Sequence, residues 1–294
     1  GIDHLAEFRT IRLGHKTPLM VARFMFDVHT DEGTRGWNAQ GCVRVLLTCS
    51  FETSDFCHRI YPHLAPMKMR INKLLDRALI PDNGGELLFY QRTDDFTIEV
   101  AGMPGELMTT AHHGSEDALA EMALKKIKNA SEASVVIGGL GMGFTLATVL
   151  RLVGEKGKVI VAELVPQVVE WNKGPMGERA GYPVNDPRTI VHVGDVLELI
   201  RSARGSYDAI LLDTDNGPEG LTRSSNDRLY SHRGLQSAFK ALKPGGVLAV
   251  WSTHPHDPFT RKLGMAGFRV EEKKVFAHRD KGTKHHLWFA MRPN

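Results

Sequence analysis

The chain holds 294 residues, with 42% hydrophobic residues, 24% charged residues and a net charge of +3. That is length for one large domain or two modest ones, with an ordinary globular balance and none of the basic clustering a nucleic-acid binder needs. No stretch approaches the roughly 18 to 20 apolar residues that span a bilayer. The first residues, Gly1 to His4, lack the basic start and apolar run of a signal peptide, so a cytoplasmic protein without a membrane or nucleic-acid partner is expected.

Residues 1–66 read as an irregular N-terminal extension. They contain Cys42, Cys49 and Cys57, an odd number at irregular spacing that argues against a disulfide framework and against zinc-ligand spacing. Val43–Cys49 could form a strand, although nothing around it pairs obviously. Either this segment lies outside the functional unit, with Met67 or Met69 the natural start, or it is an irregular arm.

Residues 67–131 predict a small region built from a helix and a β-hairpin. Apolar residues at helical spacing place the helix over Met69–Leu79, ending before Pro81. Two strand-like runs follow, Glu86–Arg92 and Phe96–Val100, joined by the turn Thr93-Asp94-Asp95, and Leu107–Thr110 adds a third. Ser115 is placed to cap a helix over Glu116–Lys128, whose Leu119, Met122, Ala123 and Ile127 form an apolar stripe.

Residues 132–294 alternate strand and helix. Strands are predicted at Ser134–Ile137, Lys158–Ala162, Thr189–Val193, Tyr207–Leu212 and Gly246–Trp251. Helices are predicted at Phe144–Val153, Pro166–Lys173, Val196–Ser202, Arg228–Leu242 and near Phe259–Ala266. Near-continuous apolar strands between amphipathic helices imply a parallel sheet covered on both faces. The last two runs, Phe268–Phe276 and His285–Met291 across the loop His278–Lys284, predict an antiparallel hairpin closing one edge. The expected fold is α/β and Rossmann-like: a mainly parallel seven-stranded sheet with a C-terminal antiparallel hairpin, of the class I methyltransferase type.

The chemistry concentrates at the strand ends. Gly138-Gly139-Leu140-Gly141-Met142-Gly143 joins the first strand to its helix, where glycines allow positive φ and the helix N-terminus presents unpaired N–H groups. Glu163 ends the second strand, about 20 residues after the last glycine, where a carboxylate can accept from both ribose hydroxyls. Asp195 follows the third strand and could accept from an adenine amino group or cap the next helix; the two roles can coexist. Asp213 ends the fourth strand. A glycine loop and three acids on one rim favour an adenosyl nucleoside over a nicotinamide, because an acid after the third strand and a terminal hairpin both suit the former.

Val135–Gly143, Glu163, Asp186-Pro187-Arg188 leading into Asp195, and Tyr207–Asp213 resemble the spermidine synthase family, polyamine aminopropyltransferases on the methyltransferase fold. The resemblance covers roughly Glu86–Asn294 and implies S-adenosylmethionine, or its decarboxylated form, as co-substrate, with no metal. The nucleoside set it implies is Gly138, Gly139, Leu140, Gly141 and Gly143 of the loop, then Glu163, Leu164, Asp195, Val196 and Asp213. Asp213 takes the position of the family's catalytic acid, which helps deprotonate the attacking amine. Glu116, Asp215, Asn216 and Tyr230 are the expected contacts to a small amine-like acceptor.

Three departures bear on that acceptor. Gly141 stands where the family carries an acid, Asn216 replaces a second acid, and Gly114-Ser115-Glu116 keeps only the Glu of a Tyr-His-Glu segment. Both aminopropyl and methyl transfer are therefore open, with a methyltransferase of unknown acceptor or a non-catalytic nucleoside-binding paralogue as the alternatives. The run Asn216–Tyr230 is long enough to act as a lid, with Asn226 and Arg228 among its polar residues. Ser252 or His254, after the fifth strand, could also reach the site. The assembly is left open, a homodimer included.

Overall fold

A computed structural model describes the strands at 22–25 and 44–47 and residues 72–82, 84–214, 226–278 and 281–294. The chain divides into two units, Gly1–Met69 and Arg70–Asn294. In the first unit, β1 (Ala22–Met25) pairs antiparallel with β2 (Arg44–Leu47). The expected strand at Val43–Cys49 thus has a partner, one too far away in sequence for short-range patterning to reveal. The three cysteines lie outside the described residues.

The second unit opens with a four-stranded antiparallel sheet in the order β3-β4-β5-β6. Its strands are β3 (Asn72–Leu79), β4 (Glu86–Arg92), β5 (Asp95–Val100) and β6 (Met108–Thr109). The helix expected over Met69–Leu79 is therefore corrected to a strand. It pairs with β4 from Asn72↔Arg92 to Leu79↔Glu86, with a register shift between Leu74 and Asp76. Helical spacing of a few apolar residues yielded to this ladder, since cross-strand partners outweigh local propensity.

Next come α1 (Gly114–Leu124) and the seven-stranded sheet, in the order β12-β13-β11-β10-β7-β8-β9. Ser115 does not cap α1; it lies within the first turn, and His113 precedes the helix. The five parallel strands are β7 (Ser134–Gly138), β8 (Lys158–Glu163), β9 (Thr189–Val193), β10 (Tyr207–Leu212) and β11 (Leu242–Ser252). Between them run α2 (Phe144–Leu152), α3 (Pro166–Lys173), the short α4 (Pro175–Glu178) and α5 (Val196–Ser202). The helix expected over Arg228–Leu242 is broken into α6 (Asn226–Leu229) and α7 (His232–Ala241), because the Ser231 side chain caps α7 by accepting from Gly234 N–H. After α8 (Asp257–Met265), β12 (Arg269–His278) and β13 (Lys281–Met291) form the expected antiparallel hairpin. Its strands run through most of the predicted loop.

Strand pleating splits the core between the two faces of the sheet. Val135 and Ile137 join one buried cluster and Val136 the other, and Ala209 and Leu211 alternate likewise with Ile210 and Leu212. This follows from side chains alternating across a strand, and it explains why both faces need apolar residues. The sheet was built outward from β7, first to β8 and β9, then on the other side to β10 and β11. The crevice between β7 and β10 is a topological switch point, where open α/β sheets bind ligands.

Candidate functional site

The loop leaving β7 is shaped by backbone geometry. Gly139, Gly141 and Gly143 adopt φ of 91°, 51° and 85°. Gly139 has no room for a side chain, because a Cβ there would lie 2.3 Å from the Asp213 carbonyl oxygen. The two strands are also stitched here, with Asp213 N–H donating to Gly138 O at 2.9 Å. Asn172, fully buried on α3, donates through Nδ2 to Gly141 O and to Val168 O, each at 2.9 Å. That amide ties the loop to the helix beyond β8.

Besides Glu106, which pairs with Arg92, four described carboxylates stand around this loop, each held by its own local contacts. Glu163, at the tip of β8, accepts from Leu140 N–H and from Val165 N–H, both at 3.0 Å. Asp195 caps α5 by accepting from Leu197 N–H at 2.8 Å. Asp213 accepts from Thr145 Oγ1–H at 2.6 Å; Thr145 is buried on the helix that follows the glycines. Glu116 accepts from Ser115 Oγ–H at 2.6 Å. Burial, and next the charge of Asp213, push the Glu116 carboxyl up to about 7. The two acids thus act on one another electrostatically, and the second proton is lost only near neutrality.

These groups line one cavity of about 460 Å³. Of the expected nucleoside contacts, Gly139, Leu140, Gly141 and Gly143 line it from the loop, and Glu163, Leu164, Asp195, Val196 and Asp213 from the strand ends. Glu116 joins them from α1. Gly138 does not line the cavity: it sits inside the sheet, where a Cβ would press on Val196 and Leu212 at 3.0–3.1 Å. Tyr230 is likewise not in the lining. It is buried, and its hydroxyl lies 2.9 Å from Thr214 Oγ1, on a residue that does line the cavity. Asp215 and Asn216 lie outside the described residues, as does the Asn226 side chain.

At the end of β11 the lining residues are Trp251 and Thr253, not Ser252 or His254, and Arg228 of α6 is not in the lining either. The Ser252 hydroxyl instead bonds the His254 carbonyl at 3.0 Å. Strand periodicity carried this distinction, since 251 and 253 share a face and 252 points away. His285, also in the lining, escaped the sequence reading because only β13 brings it there. Its ring stacks on Trp251 with centroids 4.7 Å apart. Burial, then the neighbouring His286 and His254, lower the His285 pKa. Among the described residues no three His, Cys, Asp or Glu side chains cluster as a metal site, and no helix is long and apolar enough to cross a membrane.

Comparison with known proteins places this geometry in a family. A model described as the spermine/spermidine synthase domain matches residues 112–280, more than half of the chain. The chain is 32% identical over 145 residues to a polyamine aminopropyltransferase of Nitrosomonas europaea, covering 49% of this chain and 41% of that protein. It is 32% identical over 138 residues to a spermine synthase of Arabidopsis thaliana, covering 45% and 35%. The matches thus span well under half the length of these curated relatives. A spermidine synthase structure from Thermotoga maritima superposes with a TM-score of 0.58 at 18% identity, covering 76% of this chain and 72% of that one. A spermidine synthase solved with the transition-state analogue AdoDATO superposes equally well, with a TM-score of 0.58. On the match over residues 112–280, the chain belongs to the spermine/spermidine synthase family.

Proposed function

We propose that the chain is an aminopropyltransferase that takes decarboxylated S-adenosylmethionine as co-substrate and a small amine as acceptor. The observation that carries this reading is the pairing of Glu116 and Asp213 beside the glycine loop, in the cavity that Glu163 and Asp195 also line.

The site fits such a nucleoside on two counts. Gly141, in the cavity lining, presents bare backbone where a Cβ would meet only Met108 Sδ at 3.4 Å, so a ligand can approach the loop closely. Each carboxylate at a strand tip has about four lone-pair directions. Glu163 is fixed at the cavity rim by Leu140 N–H and Val165 N–H, and a carboxylate there suits ribose hydroxyls. Asp195 commits one oxygen to its helix cap, and its second oxygen suits a base amino group. The co-substrate supplies a sulfonium-activated carbon.

On the acceptor side, an ammonium cannot attack, so a carboxylate must hold the amine and accept a proton from it. Asp213, fixed by Thr145, is assigned that role, with Glu116 as the second charge of the pair. The free amine then forms a new N–C bond while the C–S bond breaks. The electron pair stays on sulfur in methylthioadenosine, and the product is a secondary ammonium. The proton held by the carboxylate pair passes to solvent.

The test is to incubate the protein with an amine panel and either form of the co-substrate, then identify the nucleoside product by mass spectrometry. Methylthioadenosine from the decarboxylated form is expected. S-Adenosylhomocysteine as the product would replace this reading with methyl transfer.

The carboxylate pair also sets a pH dependence. With Glu116 titrating near 7, kcat/KM should rise tenfold per pH unit below that inflection and level off above it. Glu116→Gln should abolish the inflection. The stability sign runs the other way: a carboxyl whose folded pKa is raised carries no penalty below its ordinary value of 4.5 and the full penalty above about 7. That penalty is about 3 kcal/mol. Glu116→Gln should therefore raise Tm at pH 8 and leave it little changed at pH 4.5, as read by calorimetry.

A further inference from the structure

Among the described residues five carboxylates line the cavity, and the reading above uses four of them. Glu163 and Asp195 are assigned to the sugar and base, Glu116 and Asp213 to the attacking amine. Glu106 is left over. It enters from the four-stranded sheet, on the connection from β5 to β6, and Leu107, Met108 and Thr109 line the cavity beside it. This segment lies against the glycine loop, since a Cβ at Gly141 would meet Met108 Sδ at 3.4 Å.

The charges around Glu106 do not cancel. Arg92 reaches Glu106 through Nη1 and Glu99 through Nη2, the latter at 2.5 Å. One guanidinium shared by two carboxylates leaves one negative charge in excess. Glu106 is the most open of the three, with its side chain 39% exposed against 19% for Arg92 and 24% for Glu99. It is also the one member of the trio that lines the cavity. The excess charge therefore meets the cavity at Glu106, on a carboxylate that its arginine already holds in place.

Decarboxylated S-adenosylmethionine carries a second cation besides its sulfonium, an ammonium at the end of a three-carbon chain. So short a chain keeps that nitrogen near the sulfur, and hence near the glycine loop. The loop itself, Gly138-Gly139-Leu140-Gly141-Met142-Gly143, supplies no side-chain carboxylate. An ammonium taken out of water needs a counter-charge. S-Adenosylmethionine bears a carboxylate on the same carbon as its amine, and this would be set against Glu106, like charge to like.

We propose that Glu106, held by Arg92, binds the aminopropyl ammonium of the co-substrate and selects the decarboxylated form over S-adenosylmethionine. The counter-charge then comes from the small sheet and not from Gly141, the loop position where the family carries an acid. This rests on the aminopropyl-transfer reading and adds the residue that decides between the two co-substrates.

The test titrates decarboxylated S-adenosylmethionine, S-adenosylmethionine and methylthioadenosine calorimetrically into the full chain, without any amine. The wild type should prefer the decarboxylated form. Glu106→Gln should weaken its binding about tenfold, as for a hydrogen bond to a charged group, and shrink the preference over S-adenosylmethionine. Methylthioadenosine lacks the aminopropyl group and should bind the variant unchanged. Glu99→Gln, outside the lining, leaves Arg92 to neutralise Glu106 and should give a smaller loss in the same direction. Three results would overturn the proposal and leave the aminopropyl-transfer reading to its product analysis. They are equal wild-type affinity for the two co-substrates, unchanged affinity for the decarboxylated form in both variants, and an equal loss for methylthioadenosine. A loss confined to 1,4-diaminobutane, titrated into the methylthioadenosine complex, would also overturn it and move Glu106 to the acceptor. A wild type that prefers S-adenosylmethionine, or binds none of the three nucleosides, would overturn the aminopropyl-transfer reading and this proposal with it.

Discussion

Asp213→Asn is expected to lower kcat/KM for amine transfer about a thousandfold, within the range for loss of a general base. The amide keeps an oxygen for the Thr145 hydroxyl, which bonds Asp213 Oδ2 at 2.6 Å, so the fold should survive with a nearly unchanged Tm. The same substitution removes the charge that helps raise Glu116. The inflection in whatever activity remains should then move below 7. Steady-state kinetics across pH 5 to 9 reads both effects, and full turnover by the variant would remove Asp213 from the chemistry. Thr145→Val offers a finer version of the same test. It deletes the donor and keeps the shape, so Asp213 should become a weaker acid, and Thr145→Ser should restore the wild-type profile.

The second large effect is structural. Gly139→Ala places a methyl group 2.3 Å from the Asp213 carbonyl oxygen, at a φ of 91°. The obstacle is backbone in the neighbouring strand, so relief requires β7 and β10 to part at the point where Asp213 N–H meets Gly138 O. Strained φ alone costs about 1–3 kcal/mol. With the clash added, a fall in Tm of about 10 °C is expected for a domain of this size, together with loss of nucleoside binding. Gly141→Ala is the control. Its Cβ would meet only the flexible Met108 side chain at 3.4 Å, so the fall in Tm should be a few degrees at most. Equal losses in the two variants, measured by thermal denaturation, would show that the approach of Gly139 to Asp213 is not what constrains this loop.

The alternating half of the molecule was legible because its strands are buried on both faces and therefore written as apolar runs. Val135–Ile137, Val159–Ala162 and Ala209–Leu212 all fall in β7, β8 and β10. The rim acids were legible for a related reason. A carboxylate straight after an apolar strand stands at the sheet edge, and edges at a switch point share one crevice. What stayed hidden depended on partners far away in sequence. β3 carried apolar residues at helical spacing, and only its ladder with β4 makes it a strand. Thr145 reads as an ordinary helix residue until the fold sets the first turn of α2 beside the end of β10 and its hydroxyl onto Asp213. Trp251 and Thr253 could have been chosen over Ser252 and His254 by extending strand alternation two residues further. His285 could not, because its place in the lining depends on a hairpin register that no local pattern specifies.

Carboxylates at the tips of adjacent strands are assigned here to hold the sugar and base of an adenosine beside the glycine loop. Calorimetric titration of methylthioadenosine into the wild-type chain and into Glu163→Gln tests this assignment most directly. Binding to the wild type is expected, with a loss of tenfold or more in affinity for the variant, consistent with about 1.5–3 kcal/mol for hydrogen bonds to a charged group. Absence of binding to the wild type, or equal affinity for a folded Glu163→Gln variant, would contradict it.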